Sequence, residues 1–186
     1  MPPAAGGTPH GEWQRDGFTI STDPARLDVD GIYDYLSNSY WARGIPRDVF
    51  ERSLRHALCF GIYEGARQVG FARVVTDFAV FAYIGDVFVL DSHRGRGVSK
   101  MILSAIMTHP RLQGLRRWSL VTSDAHGLYR QFGFSALANP EKHMERAIRN
   151  PYTPVILSRV DGEGPVPQER NGSFGVYAPQ DDSESE

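Results

Sequence analysis

The stretch VFVLDSHRGRGVSK, Val87 to Lys100, decides how the rest of the chain is read. Its first four residues close an apolar run, DVFVL, of strand length and strand composition. From Gly97 the pattern changes to GVSKMILSAIMTHP, which predicts a helix stopped at Pro110. Two glycines and two arginines fall on the turn between them. A helix start carries N–H groups with no partner in the helix and the positive end of its dipole, so it attracts anions. Gly95 and Gly97 let the backbone approach a ligand with no Cβ in the way. Arg94 and Arg96 add charge and forked donors. The turn therefore suits a phosphate or pyrophosphate. Taken alone it reads equally well as a glycine-rich turn with two solvated arginines. It is not the G-x-x-x-x-G-K-[ST] loop, which is absent. Nor is it the dinucleotide G-x-G-x-x-G turn, because Gly95-Arg96-Gly97-Val98-Ser99-Lys100 ends in lysine and its strand follows a series of hairpins.

Outward from this stretch the pattern alternates. FTIST, Phe18 to Thr22, reads as a short strand. Leu27, Ile32, Tyr35 and Leu36 predict a helix capped by Asp28 or Asp30, and Pro46 opens a second with Val49, Phe50 and Leu54. Three strands follow in LCFGIYE, RQVGFARVVTD and VFAYIGDVFVL, turning at Glu64–Arg67 and at Asp77–Ala79. RRWSLVT is a further strand, and DAHGLYRQFGF a short helix with Asp124 as N-cap and Gly133 at its end. FSALAN and KHMERAI are read as closing strands. The order predicts an α/β (α+β) domain with a mixed, mostly antiparallel sheet of six to seven strands and about four helices. Residues 1–15 and 159–186 read as disordered tails around a domain spanning 16–158, because Pro, Gly and acid cannot bury enough surface to offset ordering.

Composition narrows the function. Hydrophobic residues make up 41%, enough for a core. The net charge of −2 becomes +2 once the four acids Asp181, Asp182, Glu184 and Glu186 are set aside. That mild balance predicts no nucleic-acid partner and no membrane surface. The single cysteine, Cys59, sits in an apolar run and reads as a small buried hydrophobe in a reducing compartment. No secretory leader and no membrane span is apparent, so a cytoplasmic location is expected. His56, His93, His109 and His143 lack ligand spacing, and no metal is expected.

Two motifs together carry a family resemblance. Arg94-Gly95-Arg96-Gly97-Val98-Ser99 resembles the R/Q-x-x-G-x-G/A signature of the GNAT (GCN5-related) N-acetyltransferases, with Ser99 where that family has Gly or Ala. LYRQFGF, Leu128 to Phe134, is similar to its L-Y-x-x-x-G-F element, and the element order matches from about Phe18 to Arg149. The resemblance implies an acetyl-CoA-dependent acyltransferase. The backbone of Gly95, Arg96, Gly97, Val98 and Ser99, with Arg94 and Arg96 beside it, would cradle the CoA pyrophosphate. Val87, Phe88 and Val89 would pair with the pantetheine arm in a splay between DVFVL and RRWSLVT. An amide left unpaired there would hold the oxyanion. Relatives carry an Asn ahead of the short helix that contacts the cofactor; here Asp124 or Ser123 stands nearest. Tyr129 is the implied general acid. The resemblance also points to a homodimer through edge strands or C-terminal exchange.

The acceptor is less defined. An amine must be neutral to attack a thioester, so a base or a water chain must take its proton. Asp86 is the candidate, with a paired or capping carboxylate as the other reading. Glu64 reads as a hairpin residue and His126 as a surface one. Tyr40, Trp41 and Arg43 are the candidate substrate contacts, with Phe78, Phe81 and Tyr83 lining the same side: aromatics wall an amine slot, and Arg43 could hold a carboxylate. A small-molecule or peptide amine is the expected partner. Alternatives are a non-catalytic acyl-CoA sensor and an enzyme using a different acyl-CoA.

Overall fold

The computed structural model describes residues 10–148 and Tyr152. Six strands form one sheet in chain order: β1 (Glu12–Arg15), β2 (Phe18–Ser21), β3 (Leu58–Glu64), β4 (Arg67–Thr76), β5 (Phe81–Val89) and β6 (Arg117–Ser119). Each neighbouring pair is antiparallel except β5 and β6, which run parallel. Two-residue connections make β1–β2 and β3–β4 tight hairpins. The β4–β5 turn is built by Asp77, whose Oδ1 accepts from the amides of Ala79, Val80 and Phe81 at 2.9, 2.9 and 3.0 Å.

Helices α1 (Val29–Asn38) and α2 (Arg47–Arg55) cross between β2 and β3; α3 (Val98–Thr108) connects β5 to β6, and α4 (His126–Arg130) follows β6. Asp28 caps α1 by accepting from Gly31 N at 3.0 Å, and Pro46 opens α2. The sheet is buried on both faces. Ile62, Val74, Ala82 and Ile84 pack with Ile102, Leu103 and Ile106 of α3. Ile32, Leu36 and Phe50 of α1 and α2 cover Cys59, Phe71 and Phe88 on the other face. Alternation along each strand divides the side chains between the two layers.

Three readings are corrected. The expected tail over 1–15 ends in β1, whose Trp13 packs on Phe60 and His109 at 6.1 and 5.8 Å between ring centroids. One aromatic in a Pro- and Gly-rich segment suffices to anchor a short edge strand. FSALAN and residues 143–148 of KHMERAI form no strand; a cavity of about 630 Å³ lies there instead, bounded by β6, Met107 and the loop after α4. Ala125, not Asp124, is the N-cap of α4, and Thr122 Oγ1 accepts from its amide at 3.1 Å. The domain end at 158, the tail over 159–186 and residues 1–9 lie outside the described residues.

Candidate active site

The site begins where two strands part. β5 and β6 pair at Phe81–Arg117, Ala82–Trp118 and Tyr83–Ser119, and there the pairing stops. β5 runs on to Val89, so its β6 side from Ile84 onward has no strand partner. The family resemblance implies a splay between these two strands. Val87, Phe88 and Val89 lie along it; Phe88 and Val89 pair with Phe71 and Gly70 of β4 on the other side.

β5 then enters the turn through a short 3-10 segment, Asp91–His93. Gly95 and Gly97 take φ of +75° and +78°, the left-handed region that favours glycine. Gly97 is the N-cap of α3, and its carbonyl accepts from Lys100 and Met101 at 3.0 and 3.1 Å. The amides of Gly95, Arg96, Gly97, Val98 and Ser99 find no acceptor among the described residues. A Cβ on either glycine would meet nothing within 4 Å. The turn is thus an open row of donors at a helix start, an arrangement that suits an anion.

Its two arginines differ. Arg94 bonds Asp91 at 2.9 Å and donates to the Tyr35 hydroxyl at 3.3 Å. Arg96 donates to Glu64 at 2.7 Å and lies 4.7 Å from the centre of the Phe18 ring. Glu64 is more than the hairpin residue its position suggests. Its other oxygen meets Nε2 of His93 at 3.1 Å, and His93 is only 5% exposed. Arg96 first, then His93, holds the Glu64 carboxyl below the usual carboxylate range. The carboxylate comes from the end of β3, and nothing in the local sequence around the turn announces it.

Tyr129 sits in the core on the α3 face, 8% exposed, with Phe134 edge-on at 5.8 Å. α4 closes behind it: Phe134 N donates to Tyr129 O at 3.3 Å, across Gly133 at φ +84°. Its hydroxyl has no hydrogen bond among the described residues. Burial, helped by the charges of Tyr83, Asp124 and Tyr40, pushes the phenol up to about 12. It therefore stays protonated and able to donate at any physiological pH. Asp124 and His126 are exposed beside it.

Across the sheet lie the residues expected to meet the acceptor. β5 carries a bulge: between the pairs Phe71–Phe88 and Arg73–Gly85, Asp86 and Val87 oppose Ala72 alone. Asp86 takes φ +54°, rare for a residue other than glycine, and its Oδ2 accepts from Arg73 Nε at 2.6 Å. The candidate base is therefore ion-paired, through an arginine the sequence reading passes over. Tyr83 leans over Gly85, where a methyl would stand 3.1 Å from its ring. Tyr35 stacks on Phe88 at 3.8 Å and 9°. Tyr40 meets Trp41 edge-on at 4.8 Å and shares a hydrogen bond with Ser123 at 2.7 Å, linking the α1–α2 loop to the segment before α4. Both rings are exposed and do not close the core. Arg43 is exposed with no ion pair among the described residues. Phe78 belongs to the β4–β5 turn, stacked under Arg111 at 3.8 Å, away from the bulge. Cys59 stands opposite Arg73 in β3, and burial pushes its thiol up to about 12, so it is not a nucleophile.

This arrangement has relatives. The model of an acetyltransferase (GNAT) domain matches residues 55–136, from the end of α2 through α4. A crystal structure from Xanthomonas campestris pv. campestris, assigned to the GNAT family, is 51% identical, with TM-score 0.71 over 73% of this chain and 96% of that one. The chain belongs to the GNAT acetyltransferases. A protein of Gibberella zeae is 35% identical, covering 63% of this chain and 78% of its own; both relatives carry the name putative acetyltransferase. A Clostridium acetobutylicum predicted acetyltransferase solved with acetyl-CoA shares the GNAT fold at 15% identity and TM-score 0.52, over 70% of this chain and 94% of that one.

Proposed function

We propose that this GNAT protein transfers an acetyl group from acetyl-CoA to a primary amine of a small molecule or peptide, by direct attack in a ternary complex. One observation carries the reading: among the described residues, the edge of β5 from Ile84 to Val89 has no partner on its β6 side and leads into a turn of amides with no acceptor. The amides of Gly95 to Ser99, with Arg94 and Arg96, hold the pyrophosphate. Val87, Phe88 and Val89 hold the pantetheine arm along the splay. The acceptor approaches from the α1–α2 side, past Tyr40 and Trp41.

In the transfer, the amine nitrogen forms a bond to the thioester carbon and the carbon–sulfur bond breaks. The electron pair leaves with sulfur, and Tyr129 supplies the proton that converts thiolate to thiol. Asp86 takes the ammonium proton through water. A main-chain amide freed by the splay holds the oxyanion.

The test is calorimetric titration with acetyl-CoA of the full chain and of an Arg94→Ala/Arg96→Ala variant. Binding by the wild type and its loss in the variant supports the reading. Absence of binding to acetyl-CoA and to other acyl-CoAs overturns it.

A further inference from the structure

The Arg73–Asp86 pair is used only in part. It lies on the face of the sheet that packs against α1 and α2, with Asp86 three residues beyond Tyr83, where the β5–β6 pairing ends. The contact is single, Nε to Oδ2 at 2.6 Å. The two terminal nitrogens of Arg73 and Oδ1 of Asp86 make no further hydrogen bond among the described residues. The side chains expose 21% and 15%, so the pair is partly open to solvent. A guanidinium that spends only Nε keeps the planar fork that matches a carboxylate. A carboxylate that spends only one oxygen keeps an acceptor for an ammonium group.

The backbone is strained to achieve this. A left-handed φ is unfavourable for aspartate, and the bulge brings its carboxylate to Arg73. The surroundings select further. Arg73 and Asp86 cancel, so a ligand of net charge leaves an uncompensated charge in a half-buried site. A polyamine would set cationic groups against Arg73, and a dicarboxylate would set anionic groups against Asp86. A molecule with one ammonium and one carboxylate a few bonds apart completes an alternating square of charges. Tyr83 leans over Gly85, the residue that pairs with Arg73. Asp124 and Glu145 are exposed and screened by solvent.

We propose that the acceptor is a zwitterionic amine of the α-amino-acid type, its carboxylate held by the free fork of Arg73 and its ammonium by Oδ1 of Asp86. The inference rests on the acetyltransferase reading above and adds the class of acceptor. It makes Arg73 a specificity residue and assigns the carboxylate contact to it in place of Arg43.

The experiment compares the twenty α-amino acids with their α-carboxamides as acceptors, with release of free thiol from acetyl-CoA as the readout. The amide keeps the side chain and removes the negative charge; it also lowers the pKa of the amine, so rates are compared per neutral amine. At least one amino acid is expected to exceed its amide in kcat/KM by about 10- to 100-fold, the usual weight of a charge-assisted contact. Arg73→Gln should collapse that ratio toward one through KM while leaving the acetyl-CoA Kd unchanged, and Arg73→Lys should retain part of it. A role of the pair confined to holding the bulge would lower rates for acid and amide alike. Equal rates for acid and amide, a ratio that survives Arg73→Gln, or turnover only of amines without a carboxylate overturns the inference while the acetyltransferase reading stands. Failure to bind any acyl-CoA removes both. The ratio in the wild-type protein is decisive even if Arg73→Gln does not fold.

Discussion

Gly97→Ala separates the backbone cost of the turn from its ligand chemistry. Gly97 has φ +78° and ψ 2°, and an added Cβ meets no protein atom within 4 Å. The stability cost is therefore conformational alone, about 1–2 kcal/mol for an alanine held left-handed. For a domain of this size that lowers Tm by about 3–10 °C. Gly114 supplies the control: its φ is +76°, it too has nothing within 4 Å, and it lies at the other end of α3, between Leu112 and β6. Gly114→Ala should cost the same in a thermal melt. Only Gly97→Ala should weaken acetyl-CoA binding, because its methyl occupies the approach to the donor row. Loss of one charge-assisted hydrogen bond, about 1.5–3 kcal/mol, corresponds to about a 10- to 150-fold rise in Kd by calorimetry. The reasoning is refuted if both variants bind acetyl-CoA as the wild type does, or if both weaken equally.

Three further outcomes follow from the geometry. Tyr129→Phe should cut turnover by about 100-fold or more in a thiol-release assay while acetyl-CoA affinity stays within about twofold; unchanged turnover removes Tyr129 from the chemistry. Glu64→Gln frees Arg96 from its carboxylate, so acetyl-CoA should bind about 2- to 5-fold more tightly at low salt, with the gain fading as salt is raised; weaker binding would show that Glu64 serves to position Arg96. Cys59, Tyr63 and Tyr129 are each pushed up to about 12 from ordinary values of 9.0, 10.0 and 10.0. The unfolded chain releases these protons first, so their stability contribution is full below pH 9 and declines from there toward pH 12. Tm measured against pH should fall from about 9 upward, and Cys59→Ala should flatten the part between 9 and 10. A flat profile through pH 11 contradicts the burial of these groups.

Much of the site is local in sequence and was legible there. The strand, turn and helix around Gly95 and Gly97 follow from apolar periodicity, two glycines and Pro110, all within one short stretch. Tyr129 and Gly133 belong to one helical turn and its close. Periodicities of 2 and 3.6 report what a residue does relative to its neighbours in the chain. They also bound the fold class, because hairpin-length turns force antiparallel pairs and a helical connection permits the one parallel pair.

Tertiary structure decided what depends on register. The bulge exists only because β4 and β5 fall out of step between Phe71 and Arg73, and no local pattern encodes that slip. It turns Asp86 from a residue on a strand into the partner of an arginine 13 positions earlier. Glu64, which reads as a turn residue, meets Arg96 and His93 because β3 lies beside β2 and the turn folds over both. The segment Glu12–Arg15 carries no periodic signal, yet it gains backbone hydrogen bonds and a seat for Trp13 from a strand already in place. Residues 143–148 show the reverse: they are read as part of a closing strand, although Glu145, Arg146 and Ala147 favour helix, and they form no strand in the structure. Composition and period determine which elements a chain can make. Which side chains then share a site is settled by long-range pairing, whose energy appears only once the sheet has formed.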